Sequence, residues 1–269
     1  MTQNERRMYL IRALLDEQGY RNEIPRDVFE QKRLLRALFN VRPPLPASGE
    51  FLAVQDAYLK EAIREKGVTR LKDLTPVQNG LYLWRGDITT LAADAIVNAA
   101  NSQMLGCFSP NHGCIDNAIH TYAGIQLRLA CDKLMRAQGH EEPTGTAKIT
   151  PGFNLPAKYV LHTVGPIVSG RLTEKHCREL ASCYESCLAL AVQNGLQSVA
   201  FCCISTGVFG FPQKEAAKIA VETVAAFRED HPIDVVFNVF KEADLNIYRT
   251  LLQSSERSIP CSSTISPRI

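Results

Sequence analysis

The residue types best suited to bind a metal ion lie close together in one short loop. Cys107, His112 and Cys114 supply two thiolates and an imidazole within eight residues, and these are ligand types that zinc prefers. Pro110 and Gly113 bend the backbone so that the three side chains can converge. Three protein ligands leave a fourth position free, as in catalytic zinc sites. The alternative is two packed cysteines beside a solvated histidine, and spacing alone does not decide between them.

A glycine-containing segment forms a second candidate site, suited to an anion. Residues 205–212 (Ser-Thr-Gly-Val-Phe-Gly-Phe-Pro) follow the most apolar strand pattern of the chain and precede a helical pattern. The glycines let the backbone approach a ligand, and a helix N-terminus favours negative charge, so a phosphate or diphosphate fits here. A plain strand-to-helix turn also favours glycine, and this segment alone leaves both interpretations open.

Polar side chains follow two other strand patterns. Asp87 can accept a hydrogen bond from an adenine amino group, although a helix-cap or turn aspartate is the simpler interpretation. Asn98 and Asn101 can donate to and accept from ribose hydroxyls, or can be turn residues. Asp116 and Asp94 are the carboxylates near these motifs that could act as bases, and Asp94 is more typical of a loop.

The other cysteines and histidines are better explained by packing. Cys183 and Cys187 lie one turn apart on an apolar helical stripe, and Cys202 and Cys203 belong to an apolar strand pattern, where free cysteine acts as a small hydrophobe. His162, inside a strand pattern, is interpreted as a satisfied core or near-cleft histidine.

The hydrophobic periodicity indicates how these residues are positioned. Residues 1–75 read as three helices with no concentrated polar cluster, so we expect a packing or lid role for them. From residue 76 to 253, strand and helix patterns alternate, including one helix over 116–136 and a strand over 199–204. Residues 254–269 are polar and predict a loose tail.

This alternation predicts a three-layer α/β sandwich with a parallel or mixed sheet. In open α/β sheets ligands bind beyond the carboxyl ends of the strands. Three motifs fall at predicted strand ends: residues 98–101, the Cys/His loop (defined here as residues 107–114) and residues 205–210. We therefore expect one shared cleft.

Composition excludes several classes of protein. The chain has 269 residues, 45% of them hydrophobic and 22% charged, which is ordinary for a globular protein. A net charge of +2 argues against a nucleic-acid or anionic-membrane partner. The N-terminal segment does not resemble a signal peptide, and nine cysteines without a disulfide pattern suggest reduced thiols. We expect a cytoplasmic protein.

Taken together, these segments resemble the macrodomain family, and most closely its MacroD-type ADP-ribose hydrolases. The resemblance covers about residues 80–250 in the family's order. The stretches that carry it are residues 86–89, 94–101, 113–115, 162–166 and 204–212. The implied fold is a three-layer α/β/α macrodomain with a mixed sheet, preceded here by an N-terminal helical extension.

The resemblance also implies roles for individual residues. Asp87 and Ile88 would hold adenine, and Asn101 would bind the distal ribose near the scissile bond, with Asp116 as a catalytic helper. The residues expected to surround the diphosphate and distal ribose are Ser205, Thr206, Gly207, Val208 and Phe209, together with Cys114, Ile115 and Asp116 of the other loop.

The chain departs from the common MacroD pattern at the Cys/His loop. His112 stands where an aspartate is expected before Gly-Cys-Ile, and Cys107 stands where a glycine is expected. This departure resembles the zinc-containing macrodomains of microbes, and it implies that Cys107, His112 and Cys114 bind zinc. It argues against the usual aspartate-assisted mechanism.

The implied function is removal of mono-ADP-ribose from modified protein side chains by a zinc-dependent, glycosidase-type hydrolase. The alternative is a non-catalytic module that binds ADP-ribose while a structural zinc shapes the loop. The resemblance further suggests a functional link to a sirtuin-type ADP-ribosyltransferase.

Overall fold

The structure is a computed structural model that describes residues 1–21 and 23–256. The α-helices are α1 (Gln3–Glu17), α2 (Val28–Val41), α3 (Gly49–Lys66), α4 (Ile115–Ala123), α5 (Ile125–Gln138), α6 (Glu174–Gln193), α7 (Gln213–Asp230) and α8 (Glu242–Glu256). The strands are β1 (Thr69–Arg70), β2 (Pro76–Gln78), β3 (Leu81–Arg85), β4 (Leu91–Ala92), β5 (Ala95–Ala100), β6 (Ala147–Pro151), β7 (Tyr159–Val164), β8 (Ser198–Phe201) and β9 (Asp234–Val239).

Seven strands form one mixed sheet in the order β2-β3-β9-β8-β5-β7-β6. The five central strands are parallel, and β2 and β6 are antiparallel to their neighbours at the two edges. Helix α7 packs between α6 and α8, while α4 and α5 pack on each other, and both groups of helices contact the sheet. The predicted three-layer α/β architecture is confirmed.

The five parallel strands end at the same edge of the sheet, and this edge collects the candidate residues. Asp87 follows β3, Asn101 follows β5, and the 205–212 segment follows β8. The strands that lead to them are buried on both faces, since all four residues of β8 and five of the six in β5 are buried. A rigid, dry sheet therefore fixes where these loops begin.

Helices α1, α2 and α3 form a unit with its own apolar core, built from residues such as Leu10, Leu14, Leu38 and Phe51. Each helix has a side-chain N-cap: Thr2, Asp27 and Ser48 accept a hydrogen bond from the backbone three residues on. The unit also packs on α4.

Two predicted elements were wrong in their boundaries. The helix expected over 116–136 is two helices, because Gly124 has φ +95° and interrupts the backbone between α4 and α5. The strand expected over 199–204 ends at Phe201, and the residues after it turn towards Ser205, whose φ is +62°. Strand β6 was not predicted at all.

The division into an extension (1–75), a macrodomain (76–253) and a tail (254–269) stays a proposal. Helix α8 continues to Glu256, and residues 257–269 of the predicted tail lie outside the described residues. Within the part of the chain that is described, every helix is too short or too polar to cross a membrane.

Candidate active site

The three predicted metal ligands converge. The ligand atoms of Cys107, His112 and Cys114 all lie within 4.8 Å of one another, and Cys107 Sγ is 3.7 Å from His112 Nδ1. Zinc–sulfur and zinc–nitrogen bonds of about 2.3 and 2.1 Å place tetrahedral ligand atoms about 3.6 Å apart. All three residues are half-buried. The donor set and its spacing therefore fit a divalent ion open to solvent on one side.

Local backbone chemistry explains how the loop brings the ligands together. Asn111 has φ +55°, which makes the tight turn after Pro110 and presents His112. Cys114 is the N-cap of α4, and its Sγ accepts a hydrogen bond from the Asn117 amide at 3.4 Å. Asn117 Nδ2 also donates to the carbonyl of Ser109 at 3.0 Å. The first turn of α4 thus holds the loop closed.

The protonation state of Cys114 depends on its surroundings. Burial raises the pKa of the Cys114 thiol to about 11. The hydrogen bond from Asn117 lowers this pKa, and the neighbouring Cys107 raises it further. A bound cation favours the thiolate, because its charge offsets the desolvation that keeps the thiol protonated.

Asn101 contacts the residue directly before the Cys/His loop. Its Nδ2 donates to the carbonyl of Gly106 at 3.3 Å, and its Oδ1 accepts from the Gln103 amide at 3.0 Å. The side chain remains half-exposed. Asn101 therefore joins the end of β5 to the loop that carries the predicted ligands.

The 205–212 segment is fixed by contacts with the loop that follows β7. The Phe209 carbonyl accepts from the Val168 amide at 2.8 Å, which ties the segment to the loop after β7. A Cβ on Gly165 would meet Ser205 Oγ at 2.1 Å, so glycine is required there. Among the described side chains, the buried Ser205 Oγ is one of the few polar atoms without a hydrogen-bond partner. Val208 is 81% exposed.

Asp87 follows β3, which lies at one end of the row of five parallel strands. Asp87 caps a short 3₁₀ turn at residues 88–90, and Oδ1 accepts from the Thr89 amide at 3.0 Å. Lys66 of α3 donates to Oδ2 at 2.7 Å and lies 3.5 Å from the ring centre of Tyr122. Although burial opposes it, these hydrogen bonds keep the pKa of Asp87 below its usual value. The Ile88 side chain is only 1% exposed, so it packs in the core.

Asp116 is a buried residue. It is 5% exposed, and its Oδ1 accepts a hydrogen bond from Asn98 Nδ2 at 2.8 Å. Burial raises the pKa of Asp116 to about 6, against the Asn98 hydrogen bond and the charge of Arg128. Asn98, which we considered a ribose ligand, is fully buried in β5. Both residues belong to the layer beneath the loop.

This buried layer includes a second group of metal-type side chains, His120, Cys131 and His162. His162 Nδ1 is 3.2 Å from Asn98 Nδ2, and its Nε2 is 2.9 Å from the Thr150 hydroxyl. Both ring nitrogens are therefore engaged. Burial raises the pKa of Cys131 to about 12. We interpret the group as a neutral packing cluster, in agreement with the prediction for His162.

The buried histidines predict a pH-dependent stability. Burial lowers the pKa of His162 to about 3 and that of His120 well below its usual value, whereas the pKa of Asp116 is raised. Between about pH 6 and 4 both histidines bind a proton in the unfolded chain but not in the folded chain. Over the same range Asp116 binds a proton in the folded chain but not in the unfolded chain, which offsets the effect of one histidine. Stability should therefore fall on acidification over this range.

Urea unfolding of the metal-free protein, with chelator present, would check this between pH 6 and 4.5. A free energy of unfolding that stays constant or rises as the pH falls would contradict the neutral cluster.

Comparisons with known proteins agree with this fold. The Macro domain family model matches residues 97–220. A protein-ADP-ribose hydrolase of Treponema medium is 60% identical over 260 residues, covering 94% of this chain and 100% of that protein. A protein-ADP-ribose hydrolase of Staphylococcus aureus (strain MSSA476) is 56% identical over 220 residues, covering 80% of this chain and 82% of that protein.

Solved structures show the same similarity. The macrodomain of Oceanobacillus iheyensis with ADP superposes with a TM-score of 0.63 at 37% identity, covering 69% of this chain and 97% of that one. The Trypanosoma brucei macrodomain in complex with ADP-ribose has a TM-score of 0.62 at 34% identity, covering 80% and 94%. The chain belongs to the macrodomain family. Its similarity to the bacterial relatives over most of its length further identifies it as a hydrolase.

Sequence reasoning missed several residues that support the site. In α2, Arg36 and Asn40 contact the Cys/His loop. In α3, Lys66 contacts Asp87. Their partners are 21 to 81 residues away in the chain, so no local pattern marks them.

Proposed function

We propose that this protein is a zinc-dependent hydrolase that removes mono-ADP-ribose from modified protein side chains. The observation that carries the proposal is the convergence of Cys107, His112 and Cys114 beside Asn101 at the carboxyl edge of the sheet. The substrate class is supported by the names of the relatives that the chain resembles over most of its length.

The cleft has features that suit ADP-ribose along its length. Asp87 offers an anionic acceptor for the adenine amino group at one end. The 205–212 segment, which begins at the buried Ser205, offers the exposed backbone of Gly207 and Val208 and the N-terminus of α7 to the diphosphate. In this proposal the diphosphate and the distal ribose are also surrounded by Thr206, Gly207, Val208 and Phe209. The ADP and ADP-ribose complexes of the two structural neighbours support it.

Cys107, His112 and Cys114 would hold the ion, and two thiolates would neutralise its charge. A bound zinc ion supplies Lewis acidity towards an oxygen of the distal ribose or of the linkage. Asn101, half-exposed beside the loop, binds the distal ribose and keeps the scissile bond near the ligand set. Ile115 lines the ribose end of the cleft as the first residue of α4.

Asp116 contributes from beneath the loop in this account. Asp116 follows Cys114 by two positions and accepts a hydrogen bond from Asn98 of β5. This hydrogen bond holds the first turn of α4 against β5. We therefore assign it a positioning role in place of the direct catalytic role inferred from the sequence. A functional link to a sirtuin-type ADP-ribosyltransferase and action in the cytoplasm, where thiols stay reduced, belong to the same proposal.

A direct assay tests this function. Purified protein is incubated with a mono-ADP-ribosylated protein, with and without a zinc chelator, and free ADP-ribose is measured. We expect release without chelator, loss of release with it, and recovery when zinc is added back. ADP-ribose binding without release under any condition would instead support a non-catalytic binding module.

A further inference from the structure

The Cys/His loop is held from outside by one arginine of the N-terminal helical unit. Arg36 of α2 donates from Nη2 to the carbonyl of His112 at 3.0 Å. The same guanidinium donates from Nε and Nη2 to Asn117 Oδ1 at 3.1 and 2.7 Å. Arg36 therefore bridges the backbone of one metal ligand and the first turn of the helix that begins at the next ligand, Cys114.

Asn40, four residues later on the same helix, holds the tip of the loop. Its Oδ1 accepts from the Asn111 amide at 2.9 Å, and its Nδ2 donates to Thr121 Oγ1 at 3.0 Å. Asn40 is 1% exposed, and Asn111 is the residue with φ +55°. Residues four apart on a helix share one face, so a single face of α2 fixes the unfavourable turn before His112.

The partners of Arg36 distinguish this arrangement from ordinary helix docking. Within residues 1–21 and 23–256, Arg36 forms no ion pair with a carboxylate, although Arg33 on the same helix pairs with Glu30. The guanidinium instead donates to two neutral acceptors, the His112 carbonyl and Asn117 Oδ1, and its planar fork fixes their relative positions. Apolar contacts join α2 to α1 and α3, so the place of α2 within its own unit does not depend on Arg36.

We infer that Arg36 is a positioning residue for metal binding, so that the N-terminal unit sets the affinity of the Cys/His loop for zinc. This inference rests on the proposed function. Three side chains of the eight-residue Cys/His loop must converge before they can bind an ion, and ordering such a segment costs conformational entropy. The hydrogen bonds of Arg36 order the loop when the protein folds, so less entropy is lost when the metal binds. Residues of this kind around other metal sites change affinity by about 10- to 100-fold.

The test compares two arginines on the same helix. Arg36→Met removes the fork but keeps an apolar stem, and Arg33→Met is the matched control at an exposed position. Arg36→Lys keeps the charge but reaches fewer acceptors. Zinc affinity is measured by competition with a chromogenic chelator, and thermal unfolding is measured with and without zinc. We expect Arg36→Met to lose at least about tenfold in zinc affinity, Arg36→Lys to lose less, and Arg33→Met to match wild type.

The outcomes separate this inference from the proposed function. A purely structural role for Arg36 would lower the unfolding temperature equally with and without zinc and leave the zinc affinity of the folded protein unchanged. If Arg36→Met binds zinc within twofold of Arg33→Met, the inference is overturned while zinc-dependent hydrolysis stands. If the wild-type protein binds no zinc, both are overturned.

Discussion

Replacing Cys114 by alanine is expected to abolish both zinc binding and ADP-ribose release. The substitution removes one of the three proposed zinc ligands and also the sulfur that accepts from the Asn117 amide at 3.4 Å. Loss of a direct ligand should exceed the 10- to 100-fold effect of a supporting residue, so we expect at least a 100-fold loss of zinc affinity and a comparable loss of kcat/KM. Metal analysis and the release assay would be run on the same preparation.

A second cysteine provides the control for this experiment. Cys177 of α6 is half-buried like Cys114, but it lies outside the Cys/His loop. Cys177→Ala should keep its zinc and its activity. A Cys114→Ala protein without metal but with full turnover would contradict a catalytic role for the ion.

Replacing Gly207 by valine is expected to block the substrate without disturbing the free protein. A Cβ at Gly207 would meet no heavy atom within 4 Å, and its backbone is not in the left-handed region. The residue is exposed within the 205–212 segment proposed to bind the diphosphate. An added side chain there would occupy ligand space and, by analogy with overpacked sites, should weaken ADP-ribose binding by about 100-fold.

Isothermal titration with ADP-ribose would measure this effect, with thermal unfolding as a check on folding. Gly49→Val is the matched control, since Gly49 is also unobstructed and lies at the start of α3. Zinc content should stay unchanged in both variants. Wild-type affinity for ADP-ribose in Gly207→Val would show that the diphosphate binds elsewhere.

The sequence predicted those parts of the fold whose causes are local. Helix α7 spans 213–230 against an expected 213–229, because its apolar spacing, its preceding proline and its length all lie within the segment. The break between α4 and α5 was missed, because a glycine within a periodic pattern is compatible with a continuous helix. In the folded chain Gln55 and Asn154 approach Gly124 so closely that a side chain there would clash, and its φ of +95° also favours glycine.

The candidate site was predicted unevenly, for a similar reason. Cys107, His112 and Cys114 were found because ligand types and turn residues occur together in one loop, and their convergence agrees with that interpretation. The environment of Asp116 was not predictable from its neighbours in sequence. Its burial depends on Asn98, which is aligned with His162 across two strands.

The first three helices were expected to contribute packing or a lid, since they contain no concentrated polar cluster. Their polar contacts are instead dispersed, with Arg36 and Asn40 on the Cys/His loop and Lys66 on Asp87. Each of these side chains looks like an ordinary surface residue in the sequence. Their roles follow only from the tertiary docking of α2 and α3.

The most direct test of the account is the position of the metal relative to bound ADP-ribose. A crystal of the protein with ADP-ribose, measured at energies above and below the zinc absorption edge, would locate the ion independently of any assumption about its ligands. We predict one zinc peak bonded to Cys107, His112 and Cys114, within reach of the distal ribose oxygens. A loop without a zinc peak, or a zinc ion far from the bound ribose, would contradict the account.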